Sequence, residues 1–417
     1  MTSRLSPARR EPAHHGPADG ILVIGGGLAA TALVAALRSR GRADRVHVVT
    51  KGGPFPIDHP PLSKELFSRD APVNLAEQFG VPLGKWNTGR EALQIVPSGG
   101  PSGGFHEVRY GGSAGSAGSD VWRDVVIATG VEPFVPPLLA GALTLANWED
   151  ARRLRSELTP GRHLAIIGGG WIGLELASSA SRAGLRVTVI ELGGRPLPLL
   201  PTEVSDRVGE WLGESGVEFV PAGVEALRGH EVVTSGGVIR ADVVVAALGS
   251  RPRTGWLPVE WRTPTGHLPV DRAGHVVVDD GAPVPGAWAI GDVAAVDGVP
   301  HQHWNAAVAA AERCAAALTG EEPGRVPAPH VFSTMFGRDL DLVGWPQRDL
   351  AIAWRGGDSS GDSWTALMHG RDGRTHAGLV VGRPRDVADL KKLLANGPAA
   401  VDAREAAVAP RLRPLRR

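Results

Sequence analysis

The sequence predicts an α/β fold in which two Rossmann-like dinucleotide-binding domains are nested and a small C-terminal α+β domain follows. The first observation is a repeat, because ILVIGGGLAATALVAALRSRG at residue 21 is matched by LAIIGGGWIGLELASSASRAG at residue 164. Each copy is later closed by a strand that ends in a small-residue turn and a proline, VVIATGVEP (125–133) and VVVAALGSRP (243–252). Two strand–glycine–helix copies of this kind indicate two nucleotide sites.

The C-terminal part shows a different pattern. After residue 326 the alternating apolar runs LDLVGW, LAIAW and AGLVV are followed by the helical segment DVADLKKLL. Alternation with a period of two is typical of half-buried strands. We therefore predict a small sheet with one helix.

The first domain is predicted to be discontinuous. Two later segments are predicted to return to the first domain: HVVVDDGAPVPGAWAIGDVA (275–294) and the helical HWNAAVAAAERCAAALTG, which ends at Gly320. The second copy is then inserted within the first domain. The predicted division is a disordered leader at 1–19, a first nucleotide domain at 20–137 and 262–325, a second at 138–261, and a C-terminal domain with a basic tail at 326–417. The Gly/Ser-rich segment that ends at Asp120 is expected to form flexible hairpin connections, read as loops, on the surface.

Composition excludes several function classes. A formal net charge of zero gives no footprint for nucleic acid or for a membrane surface, so we expect neither partner. The basic tail, with Arg411, Arg413, Arg416 and Arg417, is either a contact for an acidic protein or a solvated end. The apolar run at 21–37 contains three consecutive glycines, so it predicts a strand and helix rather than a signal segment, and no transmembrane span is expected.

The chain has one cysteine, Cys314. One thiol cannot form an intrachain disulfide, a CxxC redox pair or a zinc cluster, so dithiol chemistry is excluded and no metal site is expected. We expect Cys314 to be buried packing, and a single cysteine fits a reducing cytoplasm.

Both glycine motifs have the spacing of a phosphate-binding turn. The first copy carries Gly25, Gly27 and Ala30, and the second carries Gly168, Gly170 and Gly173. The first glycine permits the tight turn, the second lets the backbone approach a pyrophosphate, and the third small residue keeps helix and strand close.

The two copies differ at the ribose position, about 20 residues beyond the first glycine. Glu191 stands there in the second copy, and a carboxylate that accepts from a ribose 2′-hydroxyl repels a 2′-phosphate, so NADH is predicted over NADPH. Arg195 lies four residues on and softens that preference. The first copy has Thr50 and Lys51 instead, which leaves Thr50 as the ribose candidate.

Five separated motifs resemble one family in order and spacing: HPPLSK (59–64), ATG (128–130), GGGWIGLELA (168–177), AIGDV (289–293) and HW (303–304). The chain is similar to the FAD-dependent ferredoxin reductases, which include putidaredoxin reductase, rubredoxin reductase and the reductase components of dioxygenases. These share the pyridine nucleotide-disulfide oxidoreductase-like fold without the redox disulfide. The resemblance implies FAD in the first nucleotide domain and NAD(P)H in the second.

The resemblance also implies roles for individual residues. Lys64 beside the flavin and Glu175, its partner on the second glycine helix, are the implied catalytic residues. The remaining implied cofactor contacts are His59, Thr129, Gly130, Gly249, Asp292 and Trp304. Of these, Asp292 accepts from the ribityl chain and caps a helix, Trp304 stacks near the isoalloxazine, and the glycines allow backbone approach.

The chain departs from the family beside the implied flavin. His59 stands where relatives have arginine, Gln302 replaces an acidic residue, and FSTM (332–335) stands where relatives have W-S-D-Q. The helix positions that are polar in relatives are Ala306 and Ala310. These departures lie where electrons leave the flavin, so they bear on the acceptor.

The resemblance implies a cytoplasmic NADH:ferredoxin reductase, monomeric or homodimeric, that passes electrons through FAD to an Fe–S ferredoxin or rubredoxin serving a P450 or ring-hydroxylating oxygenase. One alternative keeps FAD and NADH but uses oxygen, a quinone or a biosynthetic intermediate as acceptor. Two others are a redox-sensing interaction protein, similar to apoptosis-inducing factor, and a flavin-free scaffold.

Overall fold

The computed structural model describes residues 14–15, 20–98, 104–112, 118–278, 281–356, 363–401 and 403–412. The disordered leader predicted at 1–19 therefore lies outside the described residues, except for a two-residue strand at His14–His15 that the sequence did not predict. Arg413, Arg416 and Arg417 of the basic tail also lie outside.

The first part of the chain, up to residue 133, supplies one half of a large sheet, a separate antiparallel sheet and a layer of helices. Its strands are β1 (His14–His15), β2 (Ile21–Ile24), β3 (Val46–Thr50), β4 (Trp86–Thr88), β5 (Arg90–Ser98), β6 (Phe105–Gly112), β7 (Gly118–Trp122), β8 (Asp124–Ile127) and β9 (Val131–Pro133), and its helices are α1 (Leu28–Ser39), α2 (Pro60–Lys64) and α3 (Leu75–Gln78). Strands β2, β3 and β8 pair in parallel and are almost fully buried, as expected for strands covered on both faces.

The Gly/Ser-rich segment that ends at Asp120 is not only a connection, which corrects the sequence prediction. Within it, β6 pairs with β5 and β7 in antiparallel fashion. Val108 and Tyr110 of β6 are almost fully buried. The alternation of buried and accessible residues in HEVRY is the strand signal that the flanking glycines obscured.

The middle of the chain forms a second parallel sheet. Its elements are α4 (Trp148–Glu157), β10 (His163–Ile167), α5 (Trp171–Arg182), β11 (Arg186–Ile190), α6 (Thr202–Glu214), β12 (Glu218–Val220), β13 (Val224–Arg228), β14 (Glu231–Thr234), β15 (Gly237–Arg240), β16 (Val243–Ala246) and β17 (Ser250–Pro252). The parallel strands follow the order β12-β11-β10-β16, and β13 to β15 form a small antiparallel sheet. Strand β17 pairs with β9, which ties this part to the first.

The next segment returns to the first sheet. It contains β18 (Leu268–Val270), β19 (His275–Val278), β20 (Ala282–Ala289), β21 (Ala294–Val296), β22 (Val299–Pro300) and α7 (Trp304–Leu318). Because β20 pairs with β8, a nine-stranded sheet forms in the order β22-β21-β18-β19-β20-β8-β2-β3-β4. Helix α7 packs on α1, with Ala307, Ala311 and Cys314 buried between them. The chain's single cysteine is fully buried, as predicted, and burial raises the pKa of its thiol.

The C-terminal part is an antiparallel sheet packed against two helices, one more than the sequence predicted. It consists of β23 (His330–Met335), β24 (Arg338–Gly344), β25 (Ala351–Arg355), β26 (Trp364–His369), β27 (Arg374–Val381), α8 (Pro384–Leu393), β28 (Ala399–Ala400) and α9 (Ala403–Val408). The strands follow the order β23-β24-β27-β26-β25. The α/β fold class predicted from the sequence is confirmed. Arg411 of the tail donates to Asp389 of the same chain and is itself exposed.

Within the described ranges, no helix is both long enough and apolar enough to cross a bilayer.

Candidate functional site

The first glycine turn lies at the carboxyl ends of β2, β3 and β8. Gly25 has a φ of +120°, and a Cβ placed there would lie 2.1 Å from the carbonyl oxygen of Ala128, the residue that follows β8. Gly27 precedes α1, and a Cβ placed there would meet no atom within 4 Å. Ala30 is fully buried against the sheet. Gly25 is therefore required by the protein's own packing, whereas Gly27 leaves space beside the helix N-terminus, which suits a phosphate.

The second turn repeats this geometry at β10 and β16. Gly168 has a φ of +113°, and a Cβ there would lie 2.3 Å from the carbonyl oxygen of Ala247. A Cβ on Gly173 would lie 2.1 Å from the carbonyl oxygen of Gly168, which explains why this helix needs glycine at the third position. Gly170, like Gly27, has open space where a Cβ would be.

Glu191 lies at the end of β11, against the second turn. Its carboxylate accepts a hydrogen bond from the backbone N–H of Gly169 at 2.7 Å and another from Gly193 at 2.7 Å. Arg195 lies 3.8 Å from Asp206, which supplies it with a carboxylate partner of its own. The structure therefore holds a negative charge at the edge of this glycine turn.

Thr50 occupies the equivalent place in the first copy. It is buried, its hydroxyl accepts from the backbone N–H of Gly52 at 3.0 Å, and a Cβ on Gly26 would overlap its side chain. The Thr50 hydroxyl keeps its own hydrogen to donate. Lys51 points away and pairs with Glu91 on the surface.

Lys64 and Glu175 are brought together from α2 and α5. The Lys64 ammonium lies 3.6 Å from the Glu175 carboxylate and donates to the carbonyl oxygen of Phe332 at 3.1 Å. It also lies 4.4 Å from the centre of the Phe332 ring, within the range of a cation–π contact. Three separate parts of the chain, α2, α5 and β23, thus fix one cation.

Glu175 is almost fully buried on a helix that opens at the second glycine turn. Each carboxylate oxygen accepts from a serine hydroxyl, Ser63 at 2.5 Å and Ser333 at 2.5 Å. Burial raises the pKa of Glu175, while Lys64 and the two hydroxyls act in the opposite direction. The sequence reasoning missed Ser63, although it stands beside Lys64 in the PPLSK motif.

Trp304 opens α7 and faces the segment before α2. Its indole N–H donates to the Asp58 carboxylate at 3.1 Å, and its ring lies 6.1 Å from that of Phe79. Burial raises the pKa of Asp58. His59, the next residue, is exposed. Asp58 was not predicted from the sequence, because nothing in the spacing relates it to a tryptophan 246 positions away.

Asp292 lies in the short helical turn between β20 and β21, two strands of the first sheet. Burial raises its pKa to about 6, and no described residue donates a hydrogen bond to its carboxylate. A buried carboxylate without a hydrogen-bond donor can be satisfied by a hydroxyl group of a ligand.

Thr129, Gly130 and Gly249 lie where the two sheets meet. The Thr129 hydroxyl donates to the carbonyl oxygen of Arg253, and Gly130 has a φ of +63°. The carbonyl oxygen of Gly249, which has a φ of +84°, accepts from the N–H of Phe134. These contacts join the connections that follow β8 and β16.

The predicted site residues thus form two groups, one at each parallel sheet. Gly25, Gly27, Thr50, Thr129 and Asp292 gather at the carboxyl ends of the first sheet, where doubly wound folds bind nucleotides. The open position at Gly27 and the unpartnered Asp292 carboxylate fit a flavin dinucleotide there. The second turn and Glu191 form the other group, and Lys64 and Glu175 lie on helices that connect the two. Among the residues that the structure describes, no His, Cys, Asp and Glu cluster is arranged to hold a metal.

Two family models match this chain. One, described as pyridine nucleotide-disulphide oxidoreductase, matches residues 19–312, and the other, described as reductase C-terminal, matches residues 331–416. They cover the two parallel sheets and the C-terminal antiparallel sheet, respectively.

Curated relatives match over most of the chain. The anthranilate 1,2-dioxygenase system ferredoxin–NAD(+) reductase component of Burkholderia cepacia is 29% identical, over 91% of this chain and 95% of its own length. The benzene 1,2-dioxygenase system ferredoxin–NAD(+) reductase subunit of Pseudomonas putida is 28% identical, over 90% of this chain and 92% of its own.

Among solved structures, the covalent putidaredoxin reductase–putidaredoxin complex matches with a TM-score of 0.79 and 22% identity, over 94% of this chain and 96% of the matched chain. This likeness shows a shared fold.

Proposed function

This chain belongs to the pyridine nucleotide-disulphide oxidoreductase family, and we propose that it is an FAD-dependent NADH:ferredoxin reductase. In this proposal electrons pass from NADH through FAD to a small Fe–S ferredoxin or rubredoxin that serves a P450 or a ring-hydroxylating oxygenase. The names of the two curated relatives support this reading. The observation that carries it is the pair of glycine turns, each with space beside its helix, on two sheets joined by Lys64 and Glu175.

The proposal assigns one nucleotide to each parallel sheet. The FAD-binding domain comprises 20–137 and 262–325, the NAD(P)-binding domain 138–261, and the C-terminal reductase domain 326–417, after a leader at 1–19. The residues proposed to hold FAD are Gly25, Gly27, Ala30, Thr50, His59, Lys64, Thr129, Gly130, Asp292 and Trp304, and those proposed to hold NADH are Gly168, Gly170, Gly173, Glu191 and Gly249. A cytoplasmic location is proposed as well, since it suits a chain with a single buried thiol.

The chain's own residues position and stabilise charge. FAD, when bound, accepts a hydride and releases electrons singly, which couples a two-electron donor to a one-electron carrier. Lys64, fixed by Phe332 and Glu175, supplies positive charge where negative charge develops on reduction. Glu175, which accepts hydrogen bonds from Ser63 and Ser333, keeps the Lys64 ammonium oriented. Asp292 accepts from a hydroxyl of the cofactor, and no nucleophile or metal is needed.

Glu191 is proposed to set the preference for NADH. Its charge is fixed beside the turn by two backbone N–H donors, so a 2′-phosphate brought there would meet a carboxylate. We expect kcat/KM for NADH to exceed that for NADPH by at least about tenfold, a difference of about 1.4 kcal/mol. Initial rates of flavin reduction with each nucleotide measure the ratio, and equal rates would contradict the assignment.

The decisive experiment separates the ferredoxin from other acceptors. The purified protein, reduced by NADH in a stopped-flow instrument, is mixed with a [2Fe–2S] ferredoxin, with a rubredoxin, or with air-saturated buffer. The proposal expects reoxidation by one Fe–S protein to be at least about tenfold faster than by oxygen. Reoxidation no faster than in air would reject it and favour a small-molecule acceptor.

The small-molecule alternative has one structural observation in its favour. Phe332 is 39% exposed and covers the Lys64 ammonium, so an apolar ring is presented beside the charged group. A quinone could stack there. Including a quinone in the same stopped-flow series tests this alternative directly.

A further inference from the structure

A cavity of about 300 Å³ lies beside helix α7. Small side chains of α7, Ala306 and Ala310, form one wall, and the segment 326–330 that leads into β23 forms the opposite wall. Apolar residues of β18 and β21, among them Val270 and Val296, close a third side. The volume is at the lower end of the range of ligand pockets, about 300–1,000 Å³, so it suits a molecule the size of one ring.

Arg313 lines this cavity and is only 6% exposed. Its Nε donates to the carbonyl oxygen of Arg272 at 2.8 Å. Among the described residues no carboxylate lies within ion-pair distance of it, and its two terminal nitrogens have no hydrogen-bond partner. Burial lowers the pKa of Arg313, in agreement with the missing counter-charge.

The nearby polar side chains do not supply that counter-charge. Asp271 also lines the cavity, but it accepts from the backbone N–H groups of Ala273, Gly274 and His275 and contacts the His275 ring. His330 contacts Asn305 at 2.7 Å on one side and Asp341 at 2.6 Å on the other.

A buried, unpaired guanidinium is costly, because a charge removed from water loses hydration that only a partner can replace. Proteins avoid this arrangement unless an anion completes it. The planar fork of arginine matches a carboxylate with two parallel hydrogen bonds. The remaining wall is mostly apolar, although His301, Asn305 and Lys391 also line it besides Asp271 and His330. Most of the anion beyond its carboxylate must therefore be apolar too.

We propose that this cavity is a binding site for a small apolar monocarboxylate of about the size of benzoate, held by Arg313. The carboxylate pairs with the terminal nitrogens of Arg313, and the ring packs against Ala306, Ala310 and Val270. The site is separate from the two glycine turns and does not rest on the proposed function. It adjoins the proposed flavin site through Gly291 and Asn305, the sequence neighbours of Asp292 and Trp304.

The test is calorimetric titration of the FAD-loaded protein with benzoate, with benzamide as the neutral isostere and sodium sulfate as the simple anion. We expect saturable binding of benzoate to one site, at least tenfold tighter than either benzamide or sulfate. Equal affinities for benzoate and benzamide, or for benzoate and sulfate, would overturn the proposal, as would no binding of benzoate.

Three variants locate the binding. Arg313→Met removes the charge with a side chain of similar length, and Ala310→Leu fills the cavity. Each should weaken benzoate at least tenfold, while Ala309→Leu, on the same helix but outside the cavity, should leave the affinity unchanged. Should Arg313→Met fail to fold, Ala310→Leu still decides the matter, and parental affinity in that variant would place benzoate elsewhere and reject the site.

Discussion

Lys64 and Glu175 form an ion pair whose two side chains are 15% and 8% exposed. Glu175 is held by two serine hydroxyls and Lys64 by a backbone carbonyl, so neither charge depends on the other alone. Each charged group is thus held by more than one contact. A preorganised electrostatic site requires this, because its charged groups must not move as the reaction proceeds.

Replacing Lys64 by methionine should slow flavin reduction by NADH at least about tenfold, because a fixed positive charge is lost where negative charge develops. FAD content is measured in parallel, and the rate is taken for the FAD-loaded protein, because Lys64 is also one of the residues proposed to hold FAD. Lys51→Met is the matched control, since Lys51 lies on the surface beside Glu91 and should change nothing. Stopped-flow absorbance measures both variants, and equal rates in Lys64→Met and parent would contradict the role.

Asp292 gives a pH dependence whose sign can be stated. Burial raises its folded-state pKa to about 6 from an ordinary value of 3.8, so the flavin-free protein loses stability as pH rises through this window. Asp292→Asn removes the charge. At pH 7.5 the flavin-free variant should therefore be more stable than the parent, by on the order of 2 kcal/mol, and near pH 4 the two should coincide.

Urea unfolding of the flavin-free proteins at the two pH values measures this effect. The same substitution should weaken FAD binding, because the carboxylate is the proposed acceptor for a hydroxyl of the cofactor. A variant that is less stable at pH 7.5, or that binds FAD as well as the parent does, would contradict the assignment.

At this scale the sequence could predict residues that carry a motif but not their partners. Lys64 and Glu175 belong to motifs whose order and spacing resemble a family. The contacts of Asp58 and Ser333 could not be predicted from the sequence. Asp58 accepts from Trp304, 246 positions away, and Ser333 donates to Glu175, 158 positions away. Such contacts are set by packing of distant elements, which local spacing does not encode.

The two glycine turns have the same local geometry but lie on different sheets, so the same substitution can be made in each turn and the effects compared. Gly27→Ala and Gly170→Ala each add a methyl group where the protein itself has no atom within 4 Å. Both variants should fold. Gly27→Ala should weaken FAD at least about tenfold, whereas Gly170→Ala should keep its FAD and raise the KM for NADH by a similar factor.

Flavin absorbance and steady-state kinetics distinguish the pair. Gly25→Ala is the contrasting control, since its Cβ would lie 2.1 Å from a backbone oxygen and the variant should be unstable even before any nucleotide binds. Loss of FAD from both Gly27→Ala and Gly170→Ala would contradict the assignment of one nucleotide to each turn.

Elements with a strong period were predictable, and elements hidden by composition were not. The parallel strands at both glycine turns and helix α7 follow the predicted pattern. Glycine and serine surround strand β6 and give it the local composition of a connection, yet Val108 and Tyr110 pack into the core. Burial against the rest of the protein therefore stabilises a strand where the local composition favours a loop.

One hydrophobic cluster extends across the boundary proposed from the sequence between the second nucleotide domain and the C-terminal domain. This cluster contains Leu164 of β10 and Leu174 of α5 together with Leu340 and Trp364 of the C-terminal sheet. Across it, the rings of Trp211 and Trp364 lie 6.0 Å apart. Two parts that share one apolar cluster cannot separate without exposing it, so we expect them to unfold together.

Trp364→Ala tests this coupling. Trp364 is 2% exposed, and a buried tryptophan replaced by alanine typically costs about 3–5 kcal/mol. We expect a lower midpoint and a single transition when tryptophan fluorescence and circular dichroism are followed together. Two separated transitions, with the C-terminal sheet melting first, would show that the shared cluster does not couple the parts.

The nine-stranded sheet joins β8, which ends at Ile127, to β20, which begins at Ala282. On the ribosome, the nascent chain can close the middle parallel sheet as soon as residue 246 has emerged, because all its strands are contiguous. The surrounding sheet has to wait more than a hundred residues for its missing strands. Capture of the first cofactor therefore has to wait for β20 and the residues after it, although its glycine turn is among the first segments translated.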